Sequence, residues 1–327
     1  MTDTRADEDF LRLADPYRRE LLAHCYRMLG SVHDAEDLVQ ETYIRAWRAY
    51  DRFEGRSSLR TWLYKIATRT CLTALESRER RPMPTGLGAP SSTADAELVA
   101  KQEIPWLEPV PDTMVGADPA AVVTSRESIR LALIAALQHL APKQRAVLIL
   151  CEVLNWRAAE VAELLGTTTA AVNSALQRAR AQLDKVSPSE DTVVEPTAAQ
   201  QKEMIDRYVT AFENKDMPAI IELFTKDAVW EMPPFVSWYQ GADTIGRLID
   251  TQCPARGPGD MKLIPTWANG QPAFGVYMRD FENGGFYPFQ LPVITMDGDR
   301  IAHVGCFFDL SLFPIFGLPE SLPADPH

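Results

Sequence analysis

Apolar residues recur at helical spacing near the start of the chain, which predicts two consecutive amphipathic helices. In residues 34–47 the polar face carries an acidic stripe of Asp34, Asp37 and Glu41, which fits a protein partner with basic side chains. The second helix follows a Gly-containing loop, and Ser57 or Ser58 is placed to cap its first turn. Its predicted inward row is Leu59, Leu63, Ile66 and Thr70.

The net charge changes sign within this pair of helices. Residues 1–44 hold five Lys/Arg against ten Asp/Glu, net −5, whereas residues 45–81 hold ten against four, net +6. Phe53, Trp62 and Tyr64 are interleaved with the basic residues. Because basic side chains attract phosphates and aromatic faces stack on unpaired bases, the basic segment predicts contact with single-stranded nucleic acid.

Residues 34–41 (Asp-Ala-Glu-Asp-Leu-Val-Gln-Glu) and 53–67 (Phe-Glu-Gly-Arg-Ser-Ser-Leu-Arg-Thr-Trp-Leu-Tyr-Lys-Ile-Ala) resemble region 2 of the extracytoplasmic-function sigma factors, promoter-recognition subunits of bacterial RNA polymerase. The resemblance implies that Asp34, Asp37 and Glu41 bind the coiled-coil clamp of the polymerase β′ subunit. It also implies that the basic segment melts the −10 element and holds an extruded base, whose Watson–Crick edge is readable only after unstacking. The residues assigned to −10 DNA are Phe53, Arg56, Ser57, Trp62, Lys65 and Arg69.

Residues 83–123 are predicted to be a Pro-rich acidic linker, because neither a helical nor a strand period runs through them. Seven prolines and six acidic residues lie between positions 82 and 123, with a single lysine. As a flexible coil this segment would span on the order of 35 Å. Trp106 and Leu107, between prolines, would gain by burial, so this pair is expected to dock as a regulatory contact.

Helical spacing returns in residues 124–186, with helices predicted at 129–140 and 144–153. A short helix ended by Gly166, a Thr-rich turn and a final helix capped by Thr168 then predict a helix-turn-helix. The first turns of such a final helix enter the major groove, and arginines near its end contact phosphates. The predicted inward row of that helix is Val172, Leu176, Ala179 and Leu183.

This stretch resembles region 4 of the same family, the module that reads the −35 element. The residues assigned to −35 DNA are Thr168, Asn173, Ser174, Gln177, Arg178 and Arg180. Relatives commonly carry Lys and Arg in the segment that here reads Val172-Asn-Ser-Ala-Leu176, so two basic contacts are absent.

The last third of the chain is acidic and predicts an α+β domain. Residues 187–327 hold nine basic and twenty acidic residues, net −11 of the total −12, which argues against nucleic-acid binding by this part. Helices are predicted at 201–214 and 216–225, and strands at 227–232, 261–267, 273–281, 287–296 and 300–309. Residues 227–234 and 239–246 resemble the SnoaL-like branch of the NTF2-like cone fold.

Sigma factors with a fused SnoaL-like domain are a recognised class, and many carry a Trp-Leu-Pro-Glu-Pro-like linker motif. Residues 106–109 (Trp-Leu-Glu-Pro) resemble a variant of it, whereas the Asp-Gly-Gly-Gly-Arg signature of some relatives is absent. A cone pocket for a small molecule is a candidate site, and so is a filled aromatic core. The candidate pocket residues are Trp230, Trp238, Tyr239, Trp267, His303 and Asp309. Glu231, His303 and Asp309 are the candidate acid/base groups, although none is paired at a diagnostic spacing.

Together these segments predict a multidomain protein with two all-α DNA/polymerase-binding domains and a C-terminal α+β NTF2-like cone domain. The predicted boundaries are 1–82 for the region 2 bundle, 83–123 for the first linker, 124–186 for the region 4 helix-turn-helix, 187–197 for a second linker and 198–327 for the cone. No catalytic residue and no cofactor is assigned. No metal site is assigned either, because the five cysteines are far apart and form no metal-ligand spacing. Without a signal peptide or apolar span, the protein is expected to be cytoplasmic and to have no membrane partner.

The expected function is that of an alternative sigma factor which binds core RNA polymerase (β′ clamp and β) and directs it to promoter DNA. Its own C-terminal domain is expected to regulate it in cis by packing on a basic module or on the Trp106–Leu107 linker. Whether this domain also binds a small molecule is left open by the sequence. Because the whole chain carries −12, the free protein is expected to bind DNA poorly. Two other classes also stay open: a SnoaL-like sensor or enzyme fused to a regulator, and a helix-turn-helix repressor that acts without polymerase.

Overall fold

The structure is a computed structural model that describes residues 10–115, 129–186 and 197–324. It divides into two compact units, residues 1–81 with 107–188, and residues 82–106 with 189–327. The chain therefore leaves the first unit after Arg81 and re-enters it at Leu107. The predicted linker at 187–197 lies, except for Thr197, outside the described residues, as do residues 116–123 of the first linker.

The part of the first unit that resembles region 2 includes the helices α1 (Arg18–Leu29), α2 (Val32–Ala49) and α3 (Leu59–Leu75). Ser31 caps α2 by accepting the amide hydrogen of Asp34, and Ser58 caps α3 by accepting that of Thr61. These caps satisfy amides that have no partner within the helix, so Ser58 rather than Ser57 begins α3. Both predicted helices are confirmed.

In the part that resembles region 4, the described residues form α4 (Leu131–Leu137), α5 (Pro142–Leu148), the π turn Ile149–Val153, α6 (Ala158–Leu165) and α7 (Thr169–Val186). Gly166 ends α6 in the left-handed conformation with φ 62°, where a side chain would be strained. The Thr168 hydroxyl accepts the Ala171 amide hydrogen and caps α7. Val172 and Ala179 are buried, so the helix-turn-helix prediction is confirmed.

The second unit is built around one six-stranded sheet with the order β2-β1-β6-β5-β4-β3. Its longer helices are α8 (Ala198–Glu213), α9 (Met217–Glu222) and α10 (Ala242–Gln252), and one further turn of helix covers Leu312–Ile315. Its strands are β1 (Phe224–Glu231), β2 (Trp238–Gln240), β3 (Met261–Ala268), β4 (Gln271–Arg279), β5 (Phe286–Asp297) and β6 (Arg300–Phe307). β1 and β6 are parallel and the other neighbours are antiparallel.

Aromatic side chains fill the space between the helices and the sheet. Tyr208 stacks on Phe212 and on Phe274, with ring centroids 4.3 and 4.8 Å apart. Trp230 lies edge-on to Phe224 and is 2% exposed. Of the two readings that the sequence left open, a filled core describes this face of the sheet.

Residues 82–106, named the strap below, run along the β2 edge of that sheet. The Ser91 amide donates to the Trp238 carbonyl at 2.7 Å, and the Trp238 indole donates to the Gly88 carbonyl at 2.9 Å. Ala94 is buried in the core of this unit. The prediction of irregular structure holds for the strap, but the prediction of a flexible coil is wrong for it, because these contacts fix it.

Candidate functional site

The acidic stripe lies on α2 as predicted, but its three carboxylates differ in environment. Asp37 is exposed. Glu41 pairs with Arg45 one turn later at 2.6 Å, an exposed pair that a competing partner would displace at little cost. The stripe therefore presents Asp37 and Glu41 to solvent.

Asp34 is already neutralised by basic side chains. Its Oδ2 atom lies 2.6 Å from guanidinium nitrogens of both Arg78 and Arg81, and its side chain is 17% exposed. Arg81 also faces Glu108 at 3.4 Å. The structure thus places Asp34 in an ion-pair network at the start of α2, in contrast to its two neighbours on the stripe.

The aromatic and basic residues before and within α3 form one surface. Phe53 and Trp62 are in contact, with centroids 4.8 Å apart. Arg56 is 85% exposed and pairs with Glu54. Ser57 lies in the same loop, so the structure brings these four predicted −10 residues into one loop and the first turn of α3.

Tyr64 does not belong to this surface, and its predicted role as an exposed stacking aromatic is wrong. It is fully buried, its hydroxyl donates to Glu20, and the guanidinium of Arg60 lies over its ring. Burial, followed by the charge of Glu20, raises the pKa of its hydroxyl. Tyr64 therefore occupies the inward row of α3 beside Leu63, because the helix rotates slightly from the predicted phase.

Lys65 and Arg69, the remaining predicted −10 residues, contact the helix-turn-helix. The Lys65 ammonium lies 2.7 Å from Glu163, and Arg69 donates to the carbonyl oxygen of Leu164 at 3.3 Å. Both acceptors belong to α6. In this state of the first unit, α6 contacts both cations of α3, and Arg69 remains exposed to solvent.

The predicted −35 residues all lie exposed at the cap and along the outer face of α7: Thr168, Asn173, Ser174, Gln177, Arg178 and Arg180. Arg178 donates to Ser174 at 2.8 Å, and Arg180 pairs with Glu152 at 2.5 Å. The face is accessible and bears two cations near its middle. That arrangement suits entry into a major groove with phosphate contacts behind it.

In the second unit, Glu231 and His303 form a pair that sequence spacing did not reveal. β1 and β6 are in register at Val229 and His303, so the Glu231 and His303 side chains share one face. The His303 Nε2 atom lies 2.7 Å from Glu231 Oε1, and Glu231 is 2% exposed. The other carboxylate oxygen, Oε2, accepts the backbone amide hydrogen of Thr85 at 2.6 Å.

The six candidate pocket residues are not brought to one cavity. Trp230 and Tyr239 alternate with Glu231 and Trp238 along their strands and belong to the buried core. Trp238 binds the strap, and Trp267 is 39% exposed. Asp309 accepts the hydroxyl and amide of Ser311 in a turn after β6, so it caps that turn.

Trp106 and Leu107, which are predicted to dock as a regulatory contact, belong to different units. Leu107 is fully buried in the first unit, whereas the Trp106 indole donates to the Lys101 carbonyl of the strap at 2.8 Å. Sequence reasoning missed Glu108 as a functional candidate. Its position directly after the Trp-Leu pair was the available signal.

Comparisons with known proteins agree with this division of the chain. Residues 13–81 match the family Sigma-70 region 2, residues 130–183 match Sigma-70 region 4, and residues 205–306 match the SnoaL-like domain. The chain is 59% identical over 322 residues to the ECF RNA polymerase sigma factor SigG of Mycobacterium tuberculosis, with 97% of this chain and 86% of that protein covered.

A second relative is similar in sequence and in fold. The ECF RNA polymerase sigma factor SigJ of Mycobacterium tuberculosis is 31% identical, with 90% of this chain and 89% of SigJ covered. A crystal structure of SigJ superposes with a TM-score of 0.61 and covers 93% of this chain and 98% of that one, at 24% identity in the structural alignment. Within the described residues, no helix has the length and apolar character needed to cross a membrane.

Proposed function

Because the chain belongs to the extracytoplasmic-function sigma factors of RNA polymerase, we propose a role for each of its surfaces in transcription initiation. It is an alternative sigma factor that directs transcription. Asp37 and Glu41, with Asp34 after its release from arginine, bind core polymerase. The loop and first turn of α3 bind the −10 element, and the outer face of α7 binds the −35 element.

The first unit is a closed form that cannot occupy a promoter. Elements centred near −35 and −10 lie about 25 base pairs apart, or roughly 85 Å along duplex DNA at about 3.4 Å per base pair. Lys65 on α3 and Glu163 on α6 are 2.7 Å apart, so the two reading modules are in direct contact. Core polymerase therefore separates the modules when it binds, and this separation frees Lys65 and Arg69 for −10 DNA.

The C-terminal SnoaL-like domain regulates this step by holding the strap. The strap is the connection between regions 2 and 4, and its main chain is bound at Trp238 and at Glu231. Region 4 moves away from region 2 freely only if the connecting chain is released and can extend. Because the C-terminal domain binds residues within this 25-residue segment, it restrains the separation of regions 2 and 4, which supports regulation in cis.

A small molecule would act on this domain by displacing the strap. The Glu231 carboxylate, which a hydrogen-bond donor of a ligand would seek, is already occupied by the Thr85 amide and by His303. A ligand with an amide or hydroxyl donor would compete for the Oε2 atom. The same occupancy disfavours an acid/base role for the pair while the strap is bound.

The observation that carries the proposal is the exposed outer face of α7 together with the acidic face of α2 on one chain. The test is run-off transcription by purified protein and core polymerase on a promoter library. We expect selective initiation that is lost when Asp37 and Glu41 are both changed to Lys, because charge reversal repels a basic clamp. Replacement of Arg178 by Ala should weaken binding at −35 several-fold.

Matched controls separate these roles from general damage. Glu36, on the same helix, pairs with Arg18, and Glu36→Gln should leave initiation unchanged. Specific binding of promoter duplex by the free protein, with no transcript in the presence of core polymerase, would instead indicate a repressor.

A further inference from the structure

The two ends of the strap meet at one cluster of charged groups in the first unit. Arg81 is the last residue before the strap and donates to Asp34 at 2.6 Å. Glu108 is the second residue after the strap, and its Oε1 atom lies 3.4 Å from Arg81. The strap is therefore closed into a loop at its base by an ion pair.

Glu108 is fixed to region 2 through its main chain as well. Its amide donates to the Gly30 carbonyl at 2.9 Å, and its carbonyl accepts the Tyr26 hydroxyl at 2.8 Å. Leu107 and Val110 on either side are fully buried. This short segment is thus an anchored end of the strap.

The carboxylate of Glu108 lies at the N-terminus of the 18-residue helix α2. Its Oε2 atom accepts the Ser31 hydroxyl at 2.6 Å and lies 2.9 Å from His33 Nδ1. Ser31 is the residue that caps α2. A negative charge is favourable there because the first amides of a helix are unpaired and its dipole is positive at that end.

Asp34, in the first turn of the same helix, shares Arg81 with Glu108. With Arg78 and Arg81 both at 2.6 Å, its charge is compensated within the molecule. A basic surface of another protein gains little from a carboxylate that already has two cationic partners. Movement of Arg81 therefore removes one of these two partners and leaves only Arg78 for core polymerase to displace.

We propose that Glu108 is a positioning residue that transmits the state of the strap to the polymerase-binding helix. While the second unit holds the strap, Glu108 and Arg81 stay at the start of α2 and keep Asp34 paired. Release of the strap removes the restraint on its two ends, so the side chains of Glu108 and Arg81 withdraw from the start of α2 while the main chain of Glu108 stays anchored. Asp34 then exchanges Arg78, its remaining partner, for core polymerase. This inference rests on the proposed function, in which α2 is the polymerase contact.

The test is a double-mutant cycle on the full chain, read as the Kd for core polymerase. Trp238→Phe removes the indole donor to Gly88, Glu231→Ala removes the acceptor of the Thr85 amide, and Glu108→Gln removes the charge at the base of the strap. Each single change should tighten binding by roughly two- to ten-fold, the range that one hydrogen bond or ion pair supplies. Glu108→Gln combined with either strap change should give no more than Glu108→Gln alone.

Two conservative variants serve as controls. Glu103 lies exposed in the strap and pairs only locally with Lys101, and Tyr287 is an exposed aromatic of β5. Glu103→Gln and Tyr287→Phe should leave the Kd for core polymerase unchanged. If Glu231→Ala fails to fold, as judged by circular dichroism, Trp238→Phe carries the cycle because it keeps an aromatic ring.

Each outcome decides a different point. If the effects of the strap changes and of Glu108→Gln on the Kd for core polymerase are additive, the proposed coupling between them is wrong. Weaker binding of core polymerase by Glu108→Gln would also overturn it, because a purely structural cap of α2 predicts that result. Failure of the unaltered protein to bind core polymerase would overturn the proposed function itself. Binding by the unaltered protein with additive variants would leave that function standing and remove only the role of Glu108.

Discussion

The region 2 core contains a histidine that folding keeps uncharged. His24 is fully buried, and its Nε2 atom lies 2.9 Å from the Thr68 hydroxyl. Burial, and then the nearby charge of Arg27, lower its pKa from 6.5 to about 3. The imidazole therefore stays neutral over the whole range in which an exposed histidine takes up a proton.

This histidine makes the stability of region 2 dependent on pH. Below pH 6.5 the unfolded chain binds a proton that the folded chain does not, so stability is full above that pH and falls as the pH drops towards about 3. The loss approaches about 1.4 kcal/mol per pH unit. His24→Gln should lower the free energy of unfolding at pH 7.5. It should also make that free energy depend less on pH between pH 6.5 and 4.5, as measured by urea unfolding at all three pH values. Parallel curves for the two proteins would contradict the assignment.

Arg145 is a second buried polar residue, and it joins regions 2 and 4. Its guanidinium donates to the Met28 carbonyl, to the Gln138 side chain at 2.8 Å and to the Leu140 carbonyl at 3.2 Å. Burial lowers its pKa to about 10, so it remains charged at neutral pH. Its main-chain acceptors lie in the last turn of α1 (Met28), at the C-cap of α4 (Gln138, 3.3 Å) and in the turn after it (Leu140), and carbonyls at helix ends favour a cation.

Replacing Arg145 by Lys keeps the charge but removes the fork that reaches four acceptor atoms on Met28, Gln138 and Leu140. We expect a loss of about 2–4 kcal/mol in the free energy of unfolding of the first unit, since buried carbonyls lose their donors. Lys143, in the first turn of α5 and on the same short helix, provides the control, and Lys143→Arg should change stability little. Denaturant unfolding followed by the fluorescence of region-specific labels measures both.

At the scale of elements, the helices were predictable because their signals are local. Apolar spacing, the cap at Ser58 and the left-handed Gly166 each depend on a few neighbouring residues, and all lie where the sequence indicated. The phase of α3 is not set by such local signals. The inward turn of Tyr64 depends on Glu20, a residue 44 positions away, which no local pattern contains.

The sheet was predictable as five strands, but its arrangement was not. The short β2 and the helix α10 were not predicted as elements, and the pairing of Glu231 with His303 needs the parallel register of β1 and β6. This register depends on how two strands pack against each other, and Glu231 and His303 are 72 positions apart in the chain. For the same reason, a search for paired acid/base groups by spacing found none.

The contact between α3 and α6 predicts a gain of function. Glu163→Lys places a cation opposite Lys65 and disfavours the closed form of the first unit. Because Glu163 is largely exposed, the effect is modest, and we expect roughly two- to five-fold tighter binding of single-stranded −10 DNA by fluorescence anisotropy. Glu160, one turn earlier on α6, makes its ion pair with Arg157 and has only a weaker electrostatic interaction with Lys65, so Glu160→Lys should change −10 binding less. Equal effects of the two reversals would indicate a general charge effect.

At the scale of the whole molecule, the order of segments along the chain does not match the two compact units. The strap lies in sequence between regions 2 and 4 yet belongs to the unit formed by the C-terminal domain. Composition identified residues 82–123 as irregular and Pro-rich, and it identified the Trp106–Leu107 pair as a docking point. It could not identify the partner, because extended main chain binds a sheet edge through amides and carbonyls that every sequence has.

The distribution of charge predicts how the C-terminal domain affects DNA binding. Residues 198–327 hold nine basic and seventeen acidic residues, so a chain ended after residue 197 has a net charge of −4 instead of −12. If long-range repulsion is the only effect of this domain, the shortened chain should bind promoter duplex more tightly at 50 mM salt. The advantage should vanish at 500 mM, where charges beyond a few ångströms are screened.

The strap predicts a different dependence for polymerase. Removal of the C-terminal domain frees the strap, so the affinity of the shortened chain for core polymerase should rise and should stay raised at both salt concentrations, since the restraint is mechanical. Circular dichroism of the shortened chain checks that its helices persist. If the affinities for DNA and for core polymerase are unchanged at both salt concentrations, the domain regulates neither step. If the affinity for core polymerase rises only at low salt, charge accounts for the regulation and restraint by the strap is excluded.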